Sequence, residues 1–425
     1  MTPMNSPIPL RTNAAWGSFA NPQIIPHRYG VTTGSLIQYD QNRTLFVWAD
    51  HACEGIDAIT IDGISTSDWQ FSNGVDTSGH AVCFVQFGQP QDSGATLSAT
   101  GRGKLHPRTG TRLDNPALIV WDVLANICGR PVTEGSVASF AKECAALNLI
   151  AGGSITTADK VGSVCREIVE SFGGLFGSDM LGYGRLWPAA GAYARLKVDD
   201  RFAISSAYDR GNLVNDLTLN YDFADGDARQ SMELVATESV RRAGTLAGSF
   251  DAKWIVDARV AFDVATRKLA VSARPQWAIT INGLLKALDL GDFVNIDHRL
   301  SPVSGRCMVT SRSIDLAEGT GSAVATAFSG PVPTVRLVRQ SATFDPREYS
   351  SVAVVTVGDQ RILTLLETDG SPIANAAVSV DGAPARYTDG AGKVSFPISQ
   401  MPVGTHQLAI LTSDGRALQT TVIVQ

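Results

Sequence analysis

NPALIVWDVLANICG (115–129), SFAKECAALNL (139–149) and VGSVCREIVESFGG (161–174) change the period of the chain, and that change decides the fold class. In these stretches apolar residues recur at three- and four-residue spacing, the helical period. Asn115 is suited to cap the first helix and Pro116 to its first turn, where a missing N–H costs nothing. Leu118, Trp121 and Leu124 or Ala125 are expected on one face, and Gly129 and Pro131 end the helix. The second helix is expected over 136–148, with Val137, Phe140, Ala141, Cys144 and Leu147 in phase. The third is expected to start at Thr156, with Asp159 as a variant of the capping box. Val161, Val164, Cys165, Ile168, Val169 and Phe172 form its apolar stripe, and Gly173-Gly174 stop it. Trp121, Phe140, Val164 and Phe172 should form the core of this three-helix unit.

Outward from this unit the chain reads as β. Residues 27–106 hold several short strands, with turns expected at Asp40–Asn42, Asp62-Gly63 and Asn73-Gly74. The first 26 residues, with five prolines, read as an extended arm pinned by Trp16, Phe19 and the Ile24-Ile25 pair. Downstream, LGYGRLWPAA suggests a hairpin around Gly182–Gly184. NDLTLNYDF alternates cleanly through Leu217, Leu219 and Tyr221. A helix is expected from Trp254 to about Arg267, then strands in KLAVSARPQWAITI, DFVNIDHRL, RCMVTSRSIDL and SAVATAF. GPVPTV (330–335) reads as a linker. Beyond it lie six short strands, with turns at Asp369-Gly370, Asp381-Gly382, Asp389-Gly390 and Asp414-Gly415, at a spacing that fits an immunoglobulin-like sandwich.

Composition excludes several classes. Apolar residues make up 44% of 425, which rules out global disorder. No apolar run reaches the roughly 18 residues of a spanning helix. The net charge of −6 (35 basic against 41 acidic) leaves no basic footprint for nucleic acid. No charged segment leads into an apolar one at the N-terminus, so export by a signal peptide is not expected. The six cysteines show no CxxC pair or zinc spacing and read as small buried thiols.

No catalytic constellation emerges, and no catalytic, cofactor-binding or metal-ligating residue is assigned. GAGK (390–393) lacks the first glycine and the Ser/Thr of a phosphate loop, with Tyr387 and Val394 in those places, and reads as a hairpin turn. GRGKLHPRTG (101–110) reads as a solvated basic loop. Asp222, Asp225 and Asp227 lack the spacing of a calcium loop and read as turn residues. The six histidines are dispersed, with His106 and His298 beside strand ends and turns.

The order Asn115, Pro116, Trp121, Phe140, Cys144, Phe172, Gly173, Gly174 resembles the helical domain of central baseplate or tail-tip hub proteins of long-tailed, siphophage-type bacteriophages. That family shows an Asn-Pro-Ala start with a Trp/Leu-rich helix, a helix with Phe and Cys, and a helix ending in Phe-Gly-Gly. TESVRRAG (237–244), WIVDARVAFDVATRKL (254–269) and ALDLGDFVNIDH (287–298) are similar to its distal barrel, with Leu290, Gly291 and Asp292 as the match. The resemblance covers roughly 110–330. TDGAGKVSF (388–396) is similar to a phrase of bacterial immunoglobulin-like modules. The large single-chain hubs continue into fibronectin-like modules and a receptor-binding tip, whereas this sequence stops after one module, so a separate tip polypeptide is expected.

The resemblance implies a mainly β protein with a small helical domain. Its parts would be an arm (1–26), a first barrel-like hub domain (27–113), a helical domain with short strands (114–204), a second barrel-like domain (205–335) and an immunoglobulin-like module (345–425). It implies a structural virion protein without enzymatic activity or cofactor, made in the host cytoplasm and located at the distal end of the tail. The expected state is a homotrimer contacting distal tail, tail-tube and tape-measure proteins and a separate fibre or receptor-binding tip. Genome DNA would pass its lumen without specific binding. Two alternatives remain open. One is a bacterial surface or secreted binding protein with an adhesive module. The other is a tail-associated glycan hydrolase.

Overall fold

The computed structural model describes residues 4–16, 22–178, 183–187, 194–209, 213–224, 227–274, 276–283, 288, 290–314, 321–328, 335–340, 351–357, 359–366, 372–412 and 417–424. Phe19, Gly182, Asp225, most of the 330–335 segment and the Asp369-Gly370 and Asp414-Gly415 turns lie outside them. The chain is mainly β and divides into two compact units. One comprises 1–186, 221–229 and 252–256, the other 187–220, 230–251 and 257–425.

In the first unit the strands are β1 (His27–Tyr29), β2 (Val31–Ser35), β3 (Ile37–Gln38), β4 (Leu45–Ala49), β5 (Cys53–Ile61), β6 (Ile64–Thr66), β7 (Trp69–Val75), β8 (Ala81–Phe87), β9 (Leu97–Lys104), β10 (Gly153–Ile155), β11 (Leu175–Ser178) and β12 (Gly184–Trp187). Two four-stranded sheets, ordered β2-β9-β5-β6 and β3-β4-β8-β7, share one core. Ile56, Ile59 and Leu97 meet Phe46, Trp48 and Val85 there. β1 pairs antiparallel with β10.

Asp62 (φ 51°) and Gly63 (φ 82°) form the tight β5–β6 turn that their sequence demands. Asn73-Gly74 does not turn. Both lie inside β7, where the Asn73 amide accepts from Cys53 N at 2.9 Å and donates to Cys53 O at 2.8 Å. The turn falls later, where Asp76 accepts from Ser78 N and His80 N, each at 2.9 Å. Residues 101–104 of the expected basic loop belong to β9, because Arg102 is paired with Glu54 and Asp57 at 3.0 Å each.

Three helices complete this unit: α1 (Pro116–Asp122), α2 (Glu134–Ala146) and α3 (Val161–Ser171). A wide π turn over Val123–Ile127 prolongs α1. The buried face of α1 is Ala117, Ile119, Val120, Val123 and Leu124, so Leu118 and Trp121 lie outside the expected core. α3 begins five residues later than expected. Ile155 is held in β10, and the arm supplies the helix-start acceptors: Val161 N donates to Ser6 O and Gly162 N to Met4 O, each at 3.0 Å.

The second unit contains β13 (Ala194–Val198), β14 (Ala203–Asp209), most of β15 (Asp216–Ala224) and of β16 (Asp227–Ala236), whose residues 221–224 and 227–229 belong to the first unit, and β17 (Ala247–Asp251), β18 (Gln276–Gly283), β19 (Phe293–Ile296), β20 (Gly305–Ile314), β21 (Gly321–Phe328) and β22 (Val335–Gln340). It also holds α4 (Thr237–Ala243) and α5 (Ala258–Ser272). β13 and β14 are the opposite edges of the six-stranded order β13-β19-β20-β21-β18-β14. A flat sheet would separate those edges by about 24 Å. The five Cα steps from Val198 to Ala203 span at most about 18 Å. The sheet therefore curls, enclosing Val198, Ile279, Ile281, Val294, Val309 and Ala325 on its inner face.

α5 starts at Ala258 rather than at Trp254, because Asp257 caps it by accepting from Arg259 N at 2.8 Å. It runs through Lys268–Ser272, expected as a strand, because its buried stripe continues to Leu269. α4 was not expected. Val335, at the end of the expected linker, begins β22 and pairs with Ala236.

The last strands are β23 (Ser351–Val357), β24 (Gln360–Leu366), β25 (Ala377–Val380), β26 (Arg386–Tyr387), β27 (Lys393–Pro397), β28 (Gly404–Leu411) and β29 (Ala417–Val424). They form the sheets β23-β24-β27 and β26-β25-β28-β29. Leu363, Leu365 and Phe396 from one sheet share a core with Val378, Val380 and Leu408 from the other. GAGK is a turn, in which Asp389 Oδ1 accepts from Ala391 N and Lys393 N at 2.9 Å each.

Candidate functional site

The residues singled out in the sequence fall into two groups, one in each unit. In the first, Asn115 performs two tasks. Its Oδ1 accepts from Ala117 N at 3.0 Å, and its Nδ2 donates to Ala141 O at 3.1 Å, which fastens α1 to α2. Pro116 occupies the first turn. Phe140, Cys144 and Phe172 are buried. Gly173 adopts φ 77°, a left-handed conformation that ends α3. Gly173 N and Gly174 N donate to Glu170 O and Val169 O at 2.9 and 3.0 Å. A Cβ on Gly174 would lie 2.5 Å from Phe140, so this glycine admits the Phe140 ring. Trp121 is half-buried and stacks on His106 with ring centroids 5.5 Å apart.

In the second unit, Leu290-Gly291-Asp292 leads into β19. Gly291 has φ 76°, and its N–H donates to Val309 O at 2.8 Å. Asp292 is buried, and its carbonyl accepts from Val309 N at 2.8 Å. His298 lies just beyond β19, with Nε2 3.1 Å from Phe202 O.

Several organising residues escaped the sequence reading. Asp122 is fully buried and accepts from Tyr29 OH and Lys104 Nζ, each at 2.7 Å. This cluster ties α1 to β1 and β9. Burial, reinforced by the Asp122 charge, raises the Tyr29 pKa well above its ordinary value, so the phenol stays a donor. Arg28 is buried, donating to Trp48 O at 2.7 Å and Ser35 O at 2.8 Å. The arm is fastened through Arg11, which pairs with Asp50 and, at 2.6 Å, with Asp76. Ile25 is fully buried, and Trp16 Nε1 donates to Asp76 at 3.0 Å. Burial opposes charge on Asp76, yet hydrogen bonds from Trp16, His80 and Arg11 outweigh it and hold the carboxyl well below its usual range. Asn215, in the second unit, is fully buried and donates to Gly244 O at 2.8 Å while accepting from Leu246 N at 2.7 Å. It thereby orders the TESVRRAG turn. For Asp122 and Asn215 the available signal was a polar side chain set among apolar residues, and for Arg11, Arg28 and Asp76 no local pattern gave one.

One contact has the residue types of a nucleophile and a base. Cys53 Sγ lies 3.6 Å from His51 Nδ1. Burial, with Cys83 beside it, pushes the thiol well above its usual range, and burial also holds His51 well below its own. The pair is therefore neutral and supplies no thiolate at neutral pH. Asp222 is engaged by Arg229 at 2.5 Å. Among the described residues, no three His, Cys, Asp or Glu side chains gather as metal ligands. No helix there is long and apolar enough to cross a membrane.

No family model and no curated protein matches the sequence. Among solved structures, the chain aligns with a chain of the virion of a native gene transfer agent particle. The identity is 12%, covering 73% of this chain and 85% of that one, with a TM-score of 0.47. It also aligns with a tail protein from Neisseria meningitidis MC58, at 12% identity, 77% and 98% coverage and a TM-score of 0.31. The prophage MuSo2 43 kDa tail protein from Shewanella oneidensis aligns at 13% identity, 76% and 96% coverage and a TM-score of 0.32.

Proposed function

We propose that this chain is a structural, non-enzymatic virion protein: the hub of a phage tail tip, acting as a homotrimer at the distal end of the tail. It caps the tail tube, anchors a separate fibre or tip and lines part of the DNA ejection channel. The carrying observation is the ordered set of hub-like phrases, each of which has a local physical task. Asn115 caps and cross-links, Gly174 admits Phe140, Gly173 stops α3, and Gly291 turns the chain into β19. The curled six-stranded sheet supports a barrel-like second hub domain. The two terminal sheets around one core support an immunoglobulin-like module, which serves as a dock for the tip or as a spacer. Electron microscopy of virions decorated with antibody against this chain should place it at the tail tip. Label on the capsid or along the tube, or none on virions, would overturn the reading.

A further inference from the structure

His406 lies on β28 and is buried, with 5% of its surface exposed. Its Nδ1 is 2.5 Å from Asp381 Oδ2, in the β25–β26 turn. Its Nε2 is 2.6 Å from Pro402 O, in the β27–β28 loop. A carboxylate and a backbone carbonyl only accept. A neutral imidazole carries one N–H, so one of its nitrogens would point a lone pair at an oxygen lone pair. Only the doubly protonated ring satisfies both contacts.

We infer that His406 is an imidazolium latch that ties together the two turns at one end of the C-terminal β region and opens as pH rises. The surroundings are built for it. Asp381 (φ 47°) and Gly382 (φ 76°) form the tight Asp-Gly turn that joins β25 to β26. Asp381 Oδ1 also accepts from Gln407 N at 2.8 Å, which fixes the carboxylate's orientation. The other loop is gripped at the neighbouring carbonyl, where Arg361 Nε donates to Met401 O at 3.4 Å, and the Met401 side chain is buried. Val403, 72% exposed, is thus presented on an ordered loop. The charged groups facing the ring are Asp381, which favours the cation, and Arg361 on β24, which opposes it. The flanking strands β25 and β29 carry no titratable residue. Burial lowers the histidine's pKa, but the Asp381 and Pro402 contacts outweigh it, and the net shift is upward. The latch is therefore fully closed below the unfolded value of about 6.5 and is lost as pH rises through the higher folded-state value.

The test is a histidine ring NMR titration of the full chain with labelled histidine. The His406 signal is assigned by its loss in His406→Gln or, if that chain does not fold, by through-bond correlation to its own backbone. A midpoint above about 6.5 supports the latch, and one at or below it overturns the latch. Asp381→Asn should lower the midpoint, and an unchanged midpoint would remove Asp381 as the partner. Amide exchange over 381–385 and 400–404, corrected for its intrinsic pH dependence, should speed up by about an order of magnitude above the midpoint. Corrected exchange that ignores pH would overturn the opening.

Discussion

Phe172 is 2% exposed at the end of α3. Its truncation to Ala removes a packed ring, so the full chain should lose about 3–5 kcal/mol in denaturant unfolding. Trp121→Ala should cost clearly less, because that ring is half-buried against His106. Equal losses for the two variants would contradict the observed helix phase. The contrast shows what single residues disclose in a sequence. Asn115, Gly173 and Gly174 were legible because capping and stopping a helix are tasks set by neighbours in the chain. The orientation of Trp121 was not, because Asp122 rather than its neighbour is drawn toward the β layer. Asp122 finds Tyr29 across 93 residues and Arg28 finds Ser154 across 126. No local spacing reports such partners.

At the scale of elements, strands were easier to read than helix ends. The six C-terminal stretches all form strands, since short alternating runs between Asp-Gly turns leave little choice. The start of α5 moved to its own local cap, Asp257, whereas the start of α3 moved because remote chain supplied the acceptors. The arm's Ser6 and Met4 carbonyls set the start of α3, and nothing in 156–161 announces them. β1 carries a pH dependence of its own. His27 is buried and stacks on His51 with centroids 5.8 Å apart. Burial, opposed by Asp50 and aided by Lys104, lowers its pKa to about 4. Above about pH 6.5 the ring is neutral in both folded and unfolded chains, and stability is independent of it. As pH falls from 6.5 to 4 the unfolded chain takes up the proton first, so stability declines, levelling at a loss of about 3 kcal/mol. Urea unfolding at pH 7, 5.5 and 4.5 should show this decline, and His27→Gln should make it shallower, leaving the part contributed by the buried His51, which burial also holds well below its usual range. An equally steep limb in the variant would clear His27 of the effect.

For the whole molecule, two proposals depend on how its parts stand alone and together. The terminal strands close a core of their own, with Leu363, Phe396, Val378, Leu408 and Ile410 buried among one another. Residues 345–425 should therefore express as a soluble monomer with a cooperative melt, and a flat melt would sink that idea. The fragment gives up contacts to α5, where Tyr387 OH donates to the Asp263 carboxylate and Arg259 donates to Asn375 O at 3.3 Å. It should melt lower than the same strands in the full chain. The hub reading makes the larger claim. Under that reading, two barrel-like regions per chain in a three-fold assembly would present six tube-like units and so match a six-fold tube to a three-fold tip. A cyclic trimer also closes its heterologous interfaces and so stops growth. DNA carries about one negative charge per 1.7 Å of axis, so a basic lumen would hold it and stall ejection. The net charge of −6 is compatible with a neutral or acidic lumen. Light scattering of the purified chain should give three times the monomer mass, and cryo-electron microscopy should show a lumen without dominant Lys and Arg. A stable dimer or a six-fold ring would refute the trimer, and a basic lumen would refute the electrostatic argument.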